Sequence, residues 1–262
     1  MPLDIGSARW AVVVAHPGHE LRIIEFISQA RPLVAVLTDG SASTGQSRLT
    51  QTTALLEYVG ATPSGVYGRL TDRDAYAAMM SRDWSVFLQV ALDLSAAFRA
   101  HRITAVATDA AEGYNPVHDI CRILTEAAAG LLRTNAPALF EFDLLGHPDG
   151  RGDGIRLQLD DAAFARKLDA VKRYDALAAE AQTAFDAYGV DAFRTEFLRA
   201  APATSLAPAS EIPYYERVGD ERVREGRYSE TLRYGAHVRP LMSVLLSLCP
   251  AGEHASPVDP VH

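Results

Sequence analysis

From Arg9 to about Asp143 the chain alternates two hydrophobic patterns. Short, nearly uninterrupted runs of apolar and often β-branched residues give way to longer stretches in which apolar residues recur every three or four positions. Runs without polar interruption suit strands covered on both faces, and the 3.6-residue period suits the helices that cover them. The pattern therefore predicts repeated βαβ units. Strands are expected at residues 10–15, 33–37, 66–67, 103–108, 138–142 and 155–159. Helices are expected at about 20–29, at 47–58 where Gly60 stops the pattern, at 84–100 and at 117–132. An Ala-rich stretch over about 160–188, with Leu168, Val171, Leu177 and Phe185 at helical spacing, reads as one outer helix. The expected fold class is α/β: a Rossmann-like open, mostly parallel sheet with helices on both faces, plus a small C-terminal tail region.

Residues 1–200 read as one catalytic domain, 201–213 as a Pro-rich linker or loop, and 214–262 as an extension that packs on or caps the domain, its last dozen residues frayed. A formal charge of −8 over 262 residues argues against nucleic-acid binding, which needs a basic face. Cys121 and Cys249 stand far apart and in no metal-binding spacing. The most apolar helical stretch, 86–98, is too short for a bilayer and carries Gln89 and Asp93. The first residues lack the basic-then-apolar signature of a secretion signal. A cytoplasmic protein with a small-molecule substrate is expected, and a homo-oligomer stays open.

The chemistry concentrates at Val12-Val13-Val14-Ala15-His16-Pro17-Gly18-His19-Glu20, where an apolar strand ends in a turn with two histidines and a glutamate. Open α/β sheets bind ligands at the carboxyl ends of their strands. A later strand end, Glu112-Gly113-Tyr114-Asn115-Pro116-Val117-His118-Asp119, delivers a third histidine to the same sheet edge. A single histidine is more often a surface or hydrogen-bonded residue, but three at strand-end turns point to one ion. Three nitrogens with an open fourth position describe a catalytic zinc site.

The turn Ala15-His16-Pro17-Gly18-His19-Glu20 resembles the Ala-His-Pro-Asp-Asp-Glu signature of the LmbE/PIG-L family of zinc-dependent N-acetylglucosaminyl deacetylases. Thr38-Asp39-Gly40, Arg48, Asn115-Pro116-Val117-His118 (where the family usually has His-Pro-Asp-His) and Phe193-Arg194-Thr195-Glu196 follow in the family's order. The resemblance implies that His16, His19 and His118 hold Zn2+, with His19 replacing an aspartate. It also exposes departures. Gly18 stands at the general-base aspartate, Asn115 at a histidine that assists the oxyanion or the leaving amine, and Val117 at the carboxylate that orients that histidine. Losing a positioned base costs ~10²–10⁴-fold in rate.

Candidates for the missing base are Glu20, Asp39, Glu112 and Asp119, while Asn115 keeps a neutral donor for an oxyanion. Glu20 equally suits an outer-shell or helix-dipole role, Asp39 a turn, and Asp119 a dipole or solvent-facing charge. Arg48 and, in the tail, His237 are the expected substrate contacts, although a surface arginine and aromatic packing of the tail's tyrosines are competing roles. His147 reads as a turn residue; His254 and His262 read as disordered. The resulting expectation is a zinc-dependent amide hydrolase acting on an N-acyl amino sugar or related metabolite. Two alternatives stay open: non-hydrolytic Lewis-acid chemistry (lyase, cyclase or isomerase) at the same metal site, and a non-catalytic binding protein on a degenerate deacetylase scaffold.

Overall fold

The computed structural model describes residues 5–41, 44–150, 152–206 and 211–249. Among them the strands are β1 (Trp10–Val14), β2 (Leu33–Thr38), β3 (Thr62–Leu70), β4 (Ala105–Asp109), β5 (Ala138–Phe142), β6 (Gly154–Gln158) and β7 (Thr195–Ala200). The helices are α1 (Ile24–Ala30), α2 (Leu49–Val59), α3 (Asp72–Ser81), α4 (Ser85–Ala100), α5 (Pro116–Gly130), α6 (Asp161–Arg173), α7 (Ala178–Tyr188), α8 (Tyr214–Arg224) and α9 (Arg239–Ser247). One sheet has the order β3-β2-β1-β4-β5-β7-β6. Its first five strands are parallel, and β7 runs antiparallel to both β5 and β6. This is the expected open, mostly parallel α/β sheet.

β1 shows why both faces are covered. Successive side chains of a strand point to opposite faces. Trp10, Val12 and Val14 join Ile24, Phe26, Leu56 and Ala170 on one side of the sheet, whereas Ala11, Val13 and Ala15 join Phe87, Leu94, Ile120, Leu124 and Leu241 on the other. Tyr215, Leu232, Val238, Met242 and Leu245 belong to that second cluster, so residues 214–249 pack into the same core. Strand order reverses between β1 and β4, and the crevice beyond their carboxyl ends is the place where such sheets take ligands.

Four elements differ from the sequence-based expectation. The short strand at 66–67 is part of the nine-residue β3, an edge strand with register shifts whose Pro63, Gly65 and Gly68 mimic turn signals. Helix α3 was not expected because only Asp72, Ala75 and Met79 are buried, too narrow a stripe to give a period. The single helix over 160–188 is two helices. They break at Tyr174, which leaves helical geometry (φ −98°, ψ 70°) with its ring buried and its hydroxyl 2.8 Å from Thr52 Oγ1. β7 was also unforeseen, since a buried ion pair interrupts its apolar pattern: Glu196 lies 2.8 Å from Lys167 Nζ. Glu196 also accepts the Glu25 and Phe26 backbone N–H groups, capping the start of α1, which gives the Phe-Arg-Thr-Glu element a structural role. The expected frayed end, with His254 and His262, lies outside the described residues.

Candidate metal centre

The turn after β1 depends on Gly18, whose φ of 104° favours glycine. Glu20 is fully buried and folds back on this turn, one oxygen accepting the Gly18 N–H at 2.8 Å and the other the Thr52 hydroxyl at 2.6 Å. Burial raises its carboxyl pKa, against the pull of these hydrogen bonds. Across the crevice, Asn115 caps α5: its Oδ1 accepts the Val117 N–H at 2.9 Å, and Pro116 opens the helix. His118 follows one turn inside.

These two turns bring the three imidazoles together. Ring centroids are 5.2 Å apart for His16 and His19, 5.1 Å for His16 and His118, and 4.6 Å for His19 and His118. His16 Nδ1 lies 2.7 Å from Thr38 Oγ1 and 2.9 Å from Asp72 Oδ1, and the Thr38 hydroxyl donates to that same Asp72 oxygen at 2.6 Å. His19 Nδ1 lies 2.8 Å from Asp109 Oδ2, which also accepts the Ala15 N–H at 2.8 Å. Asn115 Nδ2 stands 3.3 Å from His16 Nε2. Burial, reinforced by the neighbouring histidines, holds His19 and His118 well below the ordinary imidazole pKa. Burial pushes Asp109 up to about 6, opposed by His118 and the Ala15 N–H.

Among the described residues, no group of three or more His, Cys, Asp or Glu side chains forms a ready-made metal cage. The donor chemistry nevertheless fits a divalent ion. The rings cluster at the sheet crevice, two are held neutral, and His118 Nδ1 is buried without a hydrogen-bond partner. An orphaned buried nitrogen of this kind is an available ligand atom.

The other expected site residues fall into place as follows. Asp39 is half-buried and accepts the Ser41 N–H at 3.0 Å, a turn arrangement. Glu112 accepts the Leu144 and Leu145 N–H groups, tying two loops together. Asp119 is a correction: it does not face solvent but is buried, accepts the Gly113 N–H at 3.1 Å, and is pushed by burial up to about 7. Arg48 is half-buried beside the cluster with its Nε buried and unpartnered, and its charge disfavours protonation of His19. Gly40 makes room for it, since a Cβ there would lie 2.5 Å from Arg48 Nε. His237 is buried, with its Nδ1 accepting the Arg233 N–H of its own turn at 2.9 Å. His147 sits in an exposed turn against Asp149. A cavity of about 280 Å³ is lined by Gly113, Asp119, Arg122, Glu141, Tyr234 and Met242 among others, but not by the three histidines.

Sequence reasoning missed Asp72 and Asp109, and it missed what surrounds Gly18. Asp109 ends β4, so the strand-end rule that selected the histidines could have found it. Asp72 opens the unforeseen α3. A Cβ on Gly18 would run into the Leu177 side chain and lie 3.3 Å from the Tyr174 ring, so a larger residue there requires Leu177 to move.

No family model matches the chain, and no curated protein matches it in sequence. Solved structures do match. The zinc inhibited form of teicoplanin deacetylase Orf2 is 14% identical, with a TM-score of 0.54, over 75% of this chain and 100% of that one. A deacetylase-bog complex in the biosynthesis pathway of teicoplanin is 16% identical, with a TM-score of 0.55, over the same shares. The A40926 pseudoaglycone deacetylase Dbv21 is 23% identical over 64% of this chain and 81% of its own, with a TM-score of 0.47. The chain thus has the fold of the two teicoplanin-pathway deacetylase structures.

Proposed function

We propose that the protein is a zinc-dependent amide hydrolase that removes the acyl group from an N-acyl amino sugar or a related small metabolite. The observation that carries this reading is the convergence of His16, His19 and His118 at the β1/β4 crevice. Support comes from the fold shared with the two teicoplanin-pathway deacetylase structures.

His16, His19 and His118 would hold the ion. When bound, zinc supplies Lewis acidity that polarises the acyl carbonyl and brings the pKa of a water to ~7. The protein's own groups do the rest. Asn115 has its oxygen committed to the Val117 N–H, so its Nδ2 is oriented as a donor beside His16 and can hydrogen-bond the acyl oxygen as negative charge develops there. Arg48, whose Nε is buried and unpartnered and whose charge acts on His19, can bind an anionic or hydroxyl group of the substrate. Glu20 spends one oxygen on the Gly18 N–H and the other on the Thr52 hydroxyl of α2, so it braces the β1 turn rather than abstracting a proton. Residues 1–200 carry this chemistry and 214–249 complete their core. A reducing cytoplasm suits the two unlinked cysteines.

Metal analysis of the purified protein, followed by acetate-release assays on N-acetylated sugars, tests the reading. Zinc is expected at one equivalent in the native chain and absent in His16→Ala and His118→Ala. Full occupancy in both variants would refute the ligand assignment. Gly18, which brings no carboxylate and packs against Leu177, favours one second reading, Lewis-acid chemistry without hydrolysis. Mass-neutral conversion of a substrate without carboxylate release would select it.

A further inference from the structure

We infer that Asp109 is the positioning residue of this centre: it fixes His19 with the proton on Nδ1, leaving Nε2 as the free lone pair, and with Asp72 it supplies the negative charge that three neutral imidazoles lack. The inference rests on the three-histidine reading and names what tunes that site.

Asp109 is completely buried at the end of β4. Its Oδ2 lies 2.8 Å from both His19 Nδ1 and the Ala15 N–H, while its Oδ1 is buried without a hydrogen-bond partner. An ionised carboxylate only accepts hydrogen bonds, so the contact requires His19 to donate from Nδ1. Asp72 stands in the same relation to His16, helped by the Thr38 hydroxyl. Burying carboxylates among neutral rings is costly unless positive charge balances them. A divalent cation held by the ring nitrogens provides that balance. His118 differs from the other two rings: its Nδ1 is buried without a hydrogen-bond partner. Asp109 also joins β1 to β4 through Ala15, so it sets the spacing of the two strand ends that carry the ligands.

The test measures zinc affinity by competition with a chromophoric chelator for the native protein, Asp109→Asn, Asp109→Glu and, as a control, Glu126→Gln. It also reads the His19 tautomer from imidazole 15N shifts in the metal-free protein. Asp109→Asn should bind zinc ~10–100-fold more weakly, as loss of an outer-shell carboxylate does elsewhere. Asp109→Glu should recover part of that loss, and Glu126→Gln should match the native chain. The native His19 should carry its proton on Nδ1. A native His19 protonated on Nε2 overturns the inference without recourse to any variant, as does native affinity in folded Asp109→Asn. If the native protein binds no zinc at all, the hydrolase reading falls, and the tautomer measurement still decides the role of Asp109.

Discussion

The two turns that bring the histidines together are built by opposite means. The turn after β1 is held from behind by distant residues: Glu20 grips Gly18 and Thr52, and Asp109 grips Ala15 and His19. The turn before α5 is self-sufficient, with Asn115 capping its own helix and Pro116 setting its first residue. The first turn therefore presents rings of defined tautomer but tolerates little change. The second presents His118 on a sturdy helix, with its Nδ1 awaiting a partner. One site has thus divided rigidity of orientation from rigidity of backbone.

Removing a ring should produce the largest effect and show that difference most clearly. His118→Ala and His16→Ala should both lose zinc and turnover to background. The thermal midpoint should barely move for His118→Ala, whose helix is capped independently, and should fall for His16→Ala, whose ring ties Asp72 and Thr38. Equal midpoints, measured by circular dichroism on metal-free protein, would erase the contrast.

Asn115 separates its two duties next. Asn115→Asp keeps a capping oxygen but loses the Nδ2 donor, so kcat should fall ~10²–10³-fold with stability retained. Asn115→Ala should lose that activity and a further ~1 kcal/mol of stability to the missing cap. Unchanged kcat in Asn115→Asp would remove the oxyanion role.

Gly18→Asp comes third. An aspartate at this position should damage the fold: a positive φ and a clash with Leu177 should cost ~2–3 kcal/mol in urea unfolding. The double change Gly18→Asp with Leu177→Ala should regain part of it. A stable, more active Gly18→Asp would show that Leu177 yields easily.

The smallest expected effect is a pH slope. Burial lifts Asp119 from 3.8 to about 7 in the fold. Between those values the folded chain binds more protons than the unfolded chain, so this group's contribution makes metal-free protein lose stability as pH rises. His19 and His118, depressed in the fold, act in the other direction below their unfolded pKa. Comparing Asp119→Asn with the native chain isolates the carboxyl. The urea midpoint of the variant should fall less, or rise more, between pH 5 and pH 7.5. Parallel pH profiles would contradict the shift.

Much of the architecture was legible in the residues alone. Apolar runs marked β1, β2 and β4 because a strand buried on both faces can carry little else, and Asn115-Pro116 announced the start of α5 because capping chemistry is local. The three histidines stood out because strand ends in such sheets are where ligands bind. The edge strand β3, the thinly buried α3 and the break at Tyr174 escaped, since each is decided by what the segment touches rather than by its own period.

The amino-acid order by itself settled the α/β class and which side chains are chemically fit to meet at the sheet edge. Tertiary structure alone decided that Asp72 and Asp109 stand behind two of the rings, that Glu20 is bound up in a turn, and that Leu177 closes the space over Gly18. The reason is range. Helix and strand periods express forces between residues a few positions apart, whereas a proton's place on an imidazole depends on a carboxylate that arrives from some ninety residues away.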